Sequence, residues 1–198
     1  MSKLEDVRYK MTRDTSLRKL STAIKEKKVD EMLVPFLQRF NKKENIFTSS
    51  SCAGRIILLA SDKEEHKLPK LFMGKWHRTV KLKEILDVLK KESKFPEIWL
   101  KQEPFIFHFV CKDLDNAKRV LKLKTKLGIK RGGIFTIKDG RYIIELLGTN
   151  NMSLPVKFEN DIFLTNNQLE NIIKKANQKL TKNYKILKEV MKTFEKEL

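Results

Sequence analysis

Phe47-Thr48-Ser49-Ser50-Ser51-Cys52-Ala53-Gly54-Arg55-Ile56 passes from small hydroxyl side chains, through a glycine and a cation, straight into the apolar run Ile56-Ile57-Leu58-Leu59-Ala60. The apolar run is short and bounded by polar residues, which marks a buried strand. Hydroxyl side chains offer donors and acceptors with little bulk, so a ligand can approach the backbone. Gly54 permits a positive φ, and Arg55 is a planar fork suited to carboxylate or phosphate. A polar approach to a buried strand is what a ligand site at a strand end looks like. A serine-rich turn accounts for the same letters on local grounds alone.

Upstream, residues to about Arg13 read as a loose start. Asp14 caps a helix to about Lys27, with Leu17, Leu20 and Ile24 at helical spacing. Asp30 then N-caps a second helix whose stripe is Met32, Leu33, Phe36, Leu37 and Phe40, with Pro35 near its start. Downstream, Ser61 to Lys70 is a polar loop holding His66, a histidine to which no role is given. A short strand at Leu71–Val80 and a helix through Leu82, Ile85, Leu86 and Leu89 follow. Strands are expected at Glu97–Lys101 and Pro104–Val110. In the second, Phe105, Phe107 and Phe109 alternate with Ile106, His108 and Val110. Asp113 caps a helix ending at Gly128, and Asp139-Gly140 joins a hairpin. Residues 150–156 read as loose. A long helix runs from Thr165 and frays beyond Lys182. The result is an α+β fold with a mixed, largely antiparallel sheet and packed helices, read as a single domain over residues 1–198 with a basic C-terminal helix. Strand, helix, strand occurs twice, a hint of internal duplication that no sequence period supports.

Lys and Arg number 43 against 25 Asp and Glu, a net charge of +18. Such an excess favours polyanions, RNA or DNA above all. The cysteines, Cys52 and Cys111, match no zinc spacing or disulfide framework, so no metal is expected. There is no apolar leader and no span of membrane length, which points to the cytoplasm. Neither G-x-G-x-x-G after a strand nor a P-loop is present, so a nucleotide cofactor would not be held in the Rossmann manner.

Three candidate clusters remain. Gly74-Lys75-Trp76-His77-Arg78 joins an aromatic plane to an imidazole and two cations: Trp76 can stack on a base, Lys75 and Arg78 can meet phosphates. His108 lies on the predicted strand Pro104–Val110, and Glu103 directly precedes that strand, where it can orient a neighbouring group. Lys130-Arg131-Gly132-Gly133 has the composition of a phosphate-binding turn, although Gly128 as a helix C-cap explains its position equally well.

Phe47 to Arg55, Gly74 to His77 and Glu103-Pro104-Phe105-Ile106-Phe107-His108, in this order, resemble the wybutosine-synthesis tRNA methyltransferase family. Weaker echoes are Val29-Asp30-Glu31, Lys130 to Ile134, Arg141 with Glu145, Pro155 and Ala176-Asn177. The similarity spans about residues 28–182. It departs at Ala53, which replaces a serine often seen between the cysteine and the glycine, and at Gly132, which replaces a serine in the later Ser-Gly-Ile echo. The resemblance implies a non-Rossmann α+β fold. It implies methylation, from S-adenosylmethionine, of the N-4 nitrogen of a demethylated tricyclic guanosine beside the anticodon of phenylalanine tRNA. On that basis Ser49, Ser50, Ser51 and Arg55 hold cofactor or modified base, with Arg55 meeting a carboxylate. Asp30, His77 or His108 is the base. Lys75, Trp76, Arg78, Glu103, Lys130 and Arg131 contact the substrate tRNA at its anticodon arm. A noncatalytic RNA-binding protein using the same basic surface is the alternative.

Overall fold

The computed structural model describes residues 2–62, 71–159 and 161–198; His66 lies outside them. The chain divides into two compact units, residues 1–53, 105–149 and 185–198 in one, and 54–104 and 150–184 in the other. Five α-helices and two four-stranded antiparallel sheets are formed among the described residues, so the α+β expectation holds.

The first unit is built on β1 (Ile46–Cys52), β5 (Ile106–Cys111), β7 (Arg141–Leu147) and β6 (Arg131–Lys138), in that order across the sheet. The hydroxyl run is therefore not a turn but a strand in its own right. Phe107 and Phe109, fully buried, project from one face. They meet Phe36 at 5.5 Å and Phe40 at 5.3 Å from α2 (Val34–Phe40). Phe194 of α5 (Asn166–Glu197) packs 5.1 Å from Phe109. On the other face Tyr9 of α1 (Lys3–Lys25) packs edge-on against Phe47, with Val110 and Ile143.

The first helix starts at Lys3, eleven residues before the expected cap at Asp14. Ser2 and Glu5 form a reciprocal capping box, with the Glu5 amide donating to Ser2 Oγ at 3.2 Å and the Ser2 amide to Glu5 at 2.6 Å. Tyr9 then buries an aromatic ring that the polar composition around it had concealed. Pro35 sits in the first turn of α2, where it costs no hydrogen bond. Asp113 caps α4 (Leu114–Lys126) by accepting the Asn116 amide at 2.8 Å. Gly128, at φ +68°, closes that helix as its amide bonds the Thr125 carbonyl and the Ile129 amide bonds Lys124. Asp139 and Gly140 both have positive φ, as a tight hairpin turn demands.

The second unit orders β3 (Phe72–Trp76), β2 (Arg55–Ser61), β4 (Glu97–Glu103) and β8 (Met152–Phe158). Residues 150–156, read as loose, largely form β8. Its Pro155 occupies an edge strand beside a register irregularity, the setting in which a missing N–H is tolerated. Ile56, Leu58, Ile98, Leu100 and Val156 form a core with α3 (Leu82–Leu89) and with Leu169, Ile173, Ala176 and Leu180 of α5. The end of α5 does not fray: Leu187, Val190 and Phe194 are fully buried.

Candidate active site

In the first unit, β1 and β5 place Ser50 opposite His108, and β5 and β7 place His108 opposite Glu145. Residues opposite one another in a ladder share a face, so the three form a row across the sheet. Ser50 Oγ lies 2.7 Å from His108 Nδ1, and His108 Nε2 lies 3.3 Å from Glu145 Oε2. An ionised carboxylate only accepts, so the neutral imidazole carries its proton on Nε2, donating it to Glu145, and accepts a hydrogen bond from the Ser50 hydroxyl at Nδ1. The ring of Phe135 stands over the imidazole at 5.4 Å, tilted 30°.

The row is held from below. The Asn41 side chain is buried and clamps Thr48, accepting its amide at 2.7 Å and donating to its hydroxyl at 2.9 Å. A register irregularity between Thr48 and Ser50 follows, with Ser49 exposed within it. Asp30 occupies a helix N-cap position, yet its side chain makes no capping bond. Instead Oδ2 accepts the Ala53 amide at 2.6 Å, anchoring the end of the hydroxyl run. Ser51 and Cys52 are half-buried. Arg141, the other residue of the downstream echo, binds Asp139 at 2.9 Å and the Thr12 hydroxyl, and so braces the hairpin against α1. Lys130 and Arg131 are exposed at the start of β6.

In the second unit, Arg55 opens β2 opposite Glu103, the last residue of β4. Arg55 Nε donates to Glu103 Oε2 at 2.6 Å, and the guanidinium lies 5.2 Å from the Phe72 ring centroid. Lys75 Nζ lies 5.9 Å from the same ring. Glu103 engages Arg55 through Nε, so the two terminal nitrogens keep donors for a ligand carboxylate. Trp76 is half-buried, packed on the core, with its ring over Gly74; a Cβ there would meet the indole at 2.2 Å. Arg78 is engaged with Glu84, its terminal nitrogens 2.7 and 3.2 Å from the two carboxylate oxygens. That pair, with the Lys81 amide, draws the Glu84 carboxyl down to about 2.

Two residues of α5 hold this segment. Asn177 donates to the Val80 carbonyl at 2.8 Å and accepts the Val80 amide at 2.9 Å. Tyr184 donates to the His77 carbonyl at 2.9 Å, and its hydroxyl also lies 3.4 Å from the Gly54 carbonyl. His77 is exposed just beyond β3. Nothing in the spacing singled out Tyr184 as a staple; the Ala176-Asn177 pair was visible, its clamp on Val80 was not.

Residues 11–196 match a family described as Methyltransferase TYW3. The chain belongs to this methyltransferase family. A relative from Methanocaldococcus jannaschii is 34% identical over 173 residues, covering 87% of this chain and 89% of the relative. One from Thermococcus kodakarensis is 29% identical over 184 residues, covering 93% and 92%. Both are named tRNA(Phe) 7-((3-amino-3-carboxypropyl)-4-demethylwyosine(37)-N(4))-methyltransferase, the second with the suffix 1. A solved protein from Pyrococcus horikoshii superposes with a TM-score of 0.88 at 28% identity, covering all of both chains. A hypothetical protein from Aeropyrum pernix gives 0.73 at 27% identity over 85% of this chain and 99% of its own. The alternative of a noncatalytic RNA binder finds no support among these relatives.

The surroundings of Ala53 and Gly132 suit small residues. Ala53 is buried, and its amide is the group that Asp30 holds. Gly132 adopts φ +88°, and a Cβ there would lie 2.2 Å from the Glu145 carbonyl oxygen. In this chain a serine at 132 would press on the strand that carries Glu145. No helix among the described residues is long and apolar enough to cross a membrane.

Proposed function

We propose that this chain transfers a methyl group from S-adenosylmethionine to the N-4 nitrogen of 4-demethylwyosine-type guanosine 37 in phenylalanine tRNA, a step of wybutosine-type base synthesis in the cytoplasm. The reaction type follows from the family, and the substrate is the one in the relatives' names. The observation that carries the chemistry is the hydrogen-bonded row Ser50, His108, Glu145 on one sheet face.

Each unit, taken by itself, offers donors suited to the cofactor or to the modified base. Arg55 offers terminal guanidinium nitrogens to a carboxylate; Ser49, Ser50 and Ser51 offer hydroxyls to a ribose or to the modified base. When bound, the sulfonium supplies an electrophilic methyl carbon whose bond to sulfur breaks as its bond to nitrogen forms, leaving a neutral thioether. The protein's part is orientation and proton removal. Ser50 Oγ accepts the proton of the acceptor nitrogen while passing its own to His108 Nδ1. The imidazolium so formed keeps Nε2–H on Glu145, now as a charge-assisted bond. We assign the base to His108 rather than Asp30 or His77, because its two nitrogens meet a hydroxyl on one side and a carboxylate on the other.

Lys75, Lys130 and Arg131 are assigned to the phosphates of the anticodon arm, and Trp76 to a base. Glu103 orients Arg55, and Arg78 acts by holding Glu84. The test is incubation with labelled S-adenosylmethionine and tRNA from a strain lacking the protein, followed by digestion to nucleosides. Label in the N-4 methyl group of the wyosine-type nucleoside is expected. Label in another nucleoside, or none, rejects the reading.

A further inference from the structure

The third and fourth strands of the first unit's sheet carry a feature that the proton row does not use. β6 is an edge strand, and its register with β7 slips between Ile134 and Thr136. Phe135 is the extra residue at that bulge. A bulge of this kind re-aims a side chain and is common beside active sites. Here Phe135 is 65% exposed, and its ring is the one over His108. Ile134 and Ile137 are exposed beside it on the same edge strand, and a contiguous exposed apolar strip marks an interaction site.

The surroundings say what covers it. Gly133 lies opposite Glu145, and a Cβ built there meets nothing within 4 Å. The strand therefore leaves an opening in line with the Ser50, His108, Glu145 row and next to the Phe135 ring. Lys130, Arg131 and Lys138 are exposed along the same strand and its approach. A flat aromatic face among cations matches a nucleobase with its phosphates. It does not match a second copy: antiparallel self-pairing centred on Ile134 and Phe135 sets Arg131 against Lys138, like charges face to face.

We propose that Phe135 is a stacking platform for an unpaired nucleobase of the RNA, seated on the open face of the first unit's sheet beside His108. The proposal rests on the RNA methyltransferase reading above. In a single-stranded loop the bases are accessible to aromatic faces, whereas a duplex hides them. Phe135 thus discriminates looped from paired RNA next to the proton acceptor.

The experiment compares wild type, Phe135→Ala and Phe135→Trp in binding a hairpin RNA with the phenylalanine anticodon loop, and the same strand closed into a duplex. Phe135→Ala is expected to weaken hairpin binding roughly ten-fold or more and to leave duplex binding unchanged, with an unaltered melting temperature. Phe135→Trp is expected to restore affinity, its added emission quenched by the hairpin. If wild type methylates tRNA but Phe135→Ala binds the hairpin equally well, the platform is rejected and the methyltransferase reading stands. If methylation is absent while hairpin binding still depends on Phe135, the platform stands and that reading falls. Sedimentation showing a wild-type dimer that Phe135→Ala dissociates also overturns the platform, assigning the ring to a second copy.

Discussion

His108 Nε2 faces Glu145 Oε2 at 3.3 Å across adjacent strands, with both side chains about three-quarters buried. A carboxylate in this position selects the tautomer and stabilises the imidazolium once a proton arrives. Glu145→Gln keeps the shape and loses the charge. It is expected to lower the methyl-transfer rate constant roughly a hundred-fold while KM for tRNA and the melting temperature stay near wild type. Single-turnover kinetics measures this; an unchanged rate constant would remove Glu145 from the mechanism.

Arg55 is expected to respond to a change that preserves its charge. Lysine retains the cation but not the fork, so Arg55→Lys should weaken S-adenosylmethionine binding about ten-fold or more. Titration calorimetry reads the constant directly. Affinity equal to wild type would mean that the carboxylate binds elsewhere.

Asn177 is predicted to matter for stability more than for chemistry. Asn177→Ala leaves the Val80 amide and carbonyl without their side-chain partners, at a cost of about 2 kcal/mol. A fall in melting temperature of roughly 4–8 °C is expected, checked by calorimetric scanning. A shift well below this would show that water replaces both bonds.

The Arg78–Glu84 pair sets an acid sensitivity. Glu84 falls from its ordinary 4.5 to about 2, chiefly through its bond to Arg78 and then through the Lys81 amide. A carboxyl depressed in the folded state stabilises above its unfolded value, and that contribution is lost as pH falls through the folded value. Wild type should therefore lose more stability than Glu84→Gln between pH 4.5 and about 2. Parallel acid-unfolding curves for the two proteins would refute the assignment. The pair is partly exposed, so the difference is modest and shrinks in salt.

The alternation Phe105, Phe107, Phe109 against Ile106, His108, Val110 was readable because period two is a direct consequence of strand geometry. Asp113, Gly128 and Asp139-Gly140 were readable because caps and turns are local. The early helix start was legible in principle, through Ser2 and Glu5, but a polar segment with one buried tyrosine gives little periodic signal. The strand character of Thr48 to Cys52 depends on pairing with residues far along the chain, and serine has no strand preference to announce it. Glu145 needed the β5–β7 register, and Phe135 needed the bulge, before either could be placed against His108. The buried end of α5 was masked by its lysines, whose stems extend from a helix that still carries Leu187, Val190 and Phe194 inward.

Neither compact unit is a continuous piece of chain, and this bears on how the protein is made. The first unit needs residues 185–198 to complete its core, through Phe194 against Phe109. A chain emerging from the ribosome therefore holds an unfinished phenylalanine cluster until residues 185–198 have been added. Completion of that core waits on contacts distant in sequence, which is the slow and aggregation-exposed regime. Removing residues 185–198 would leave the first unit without the ring that Phe194 sets against Phe109.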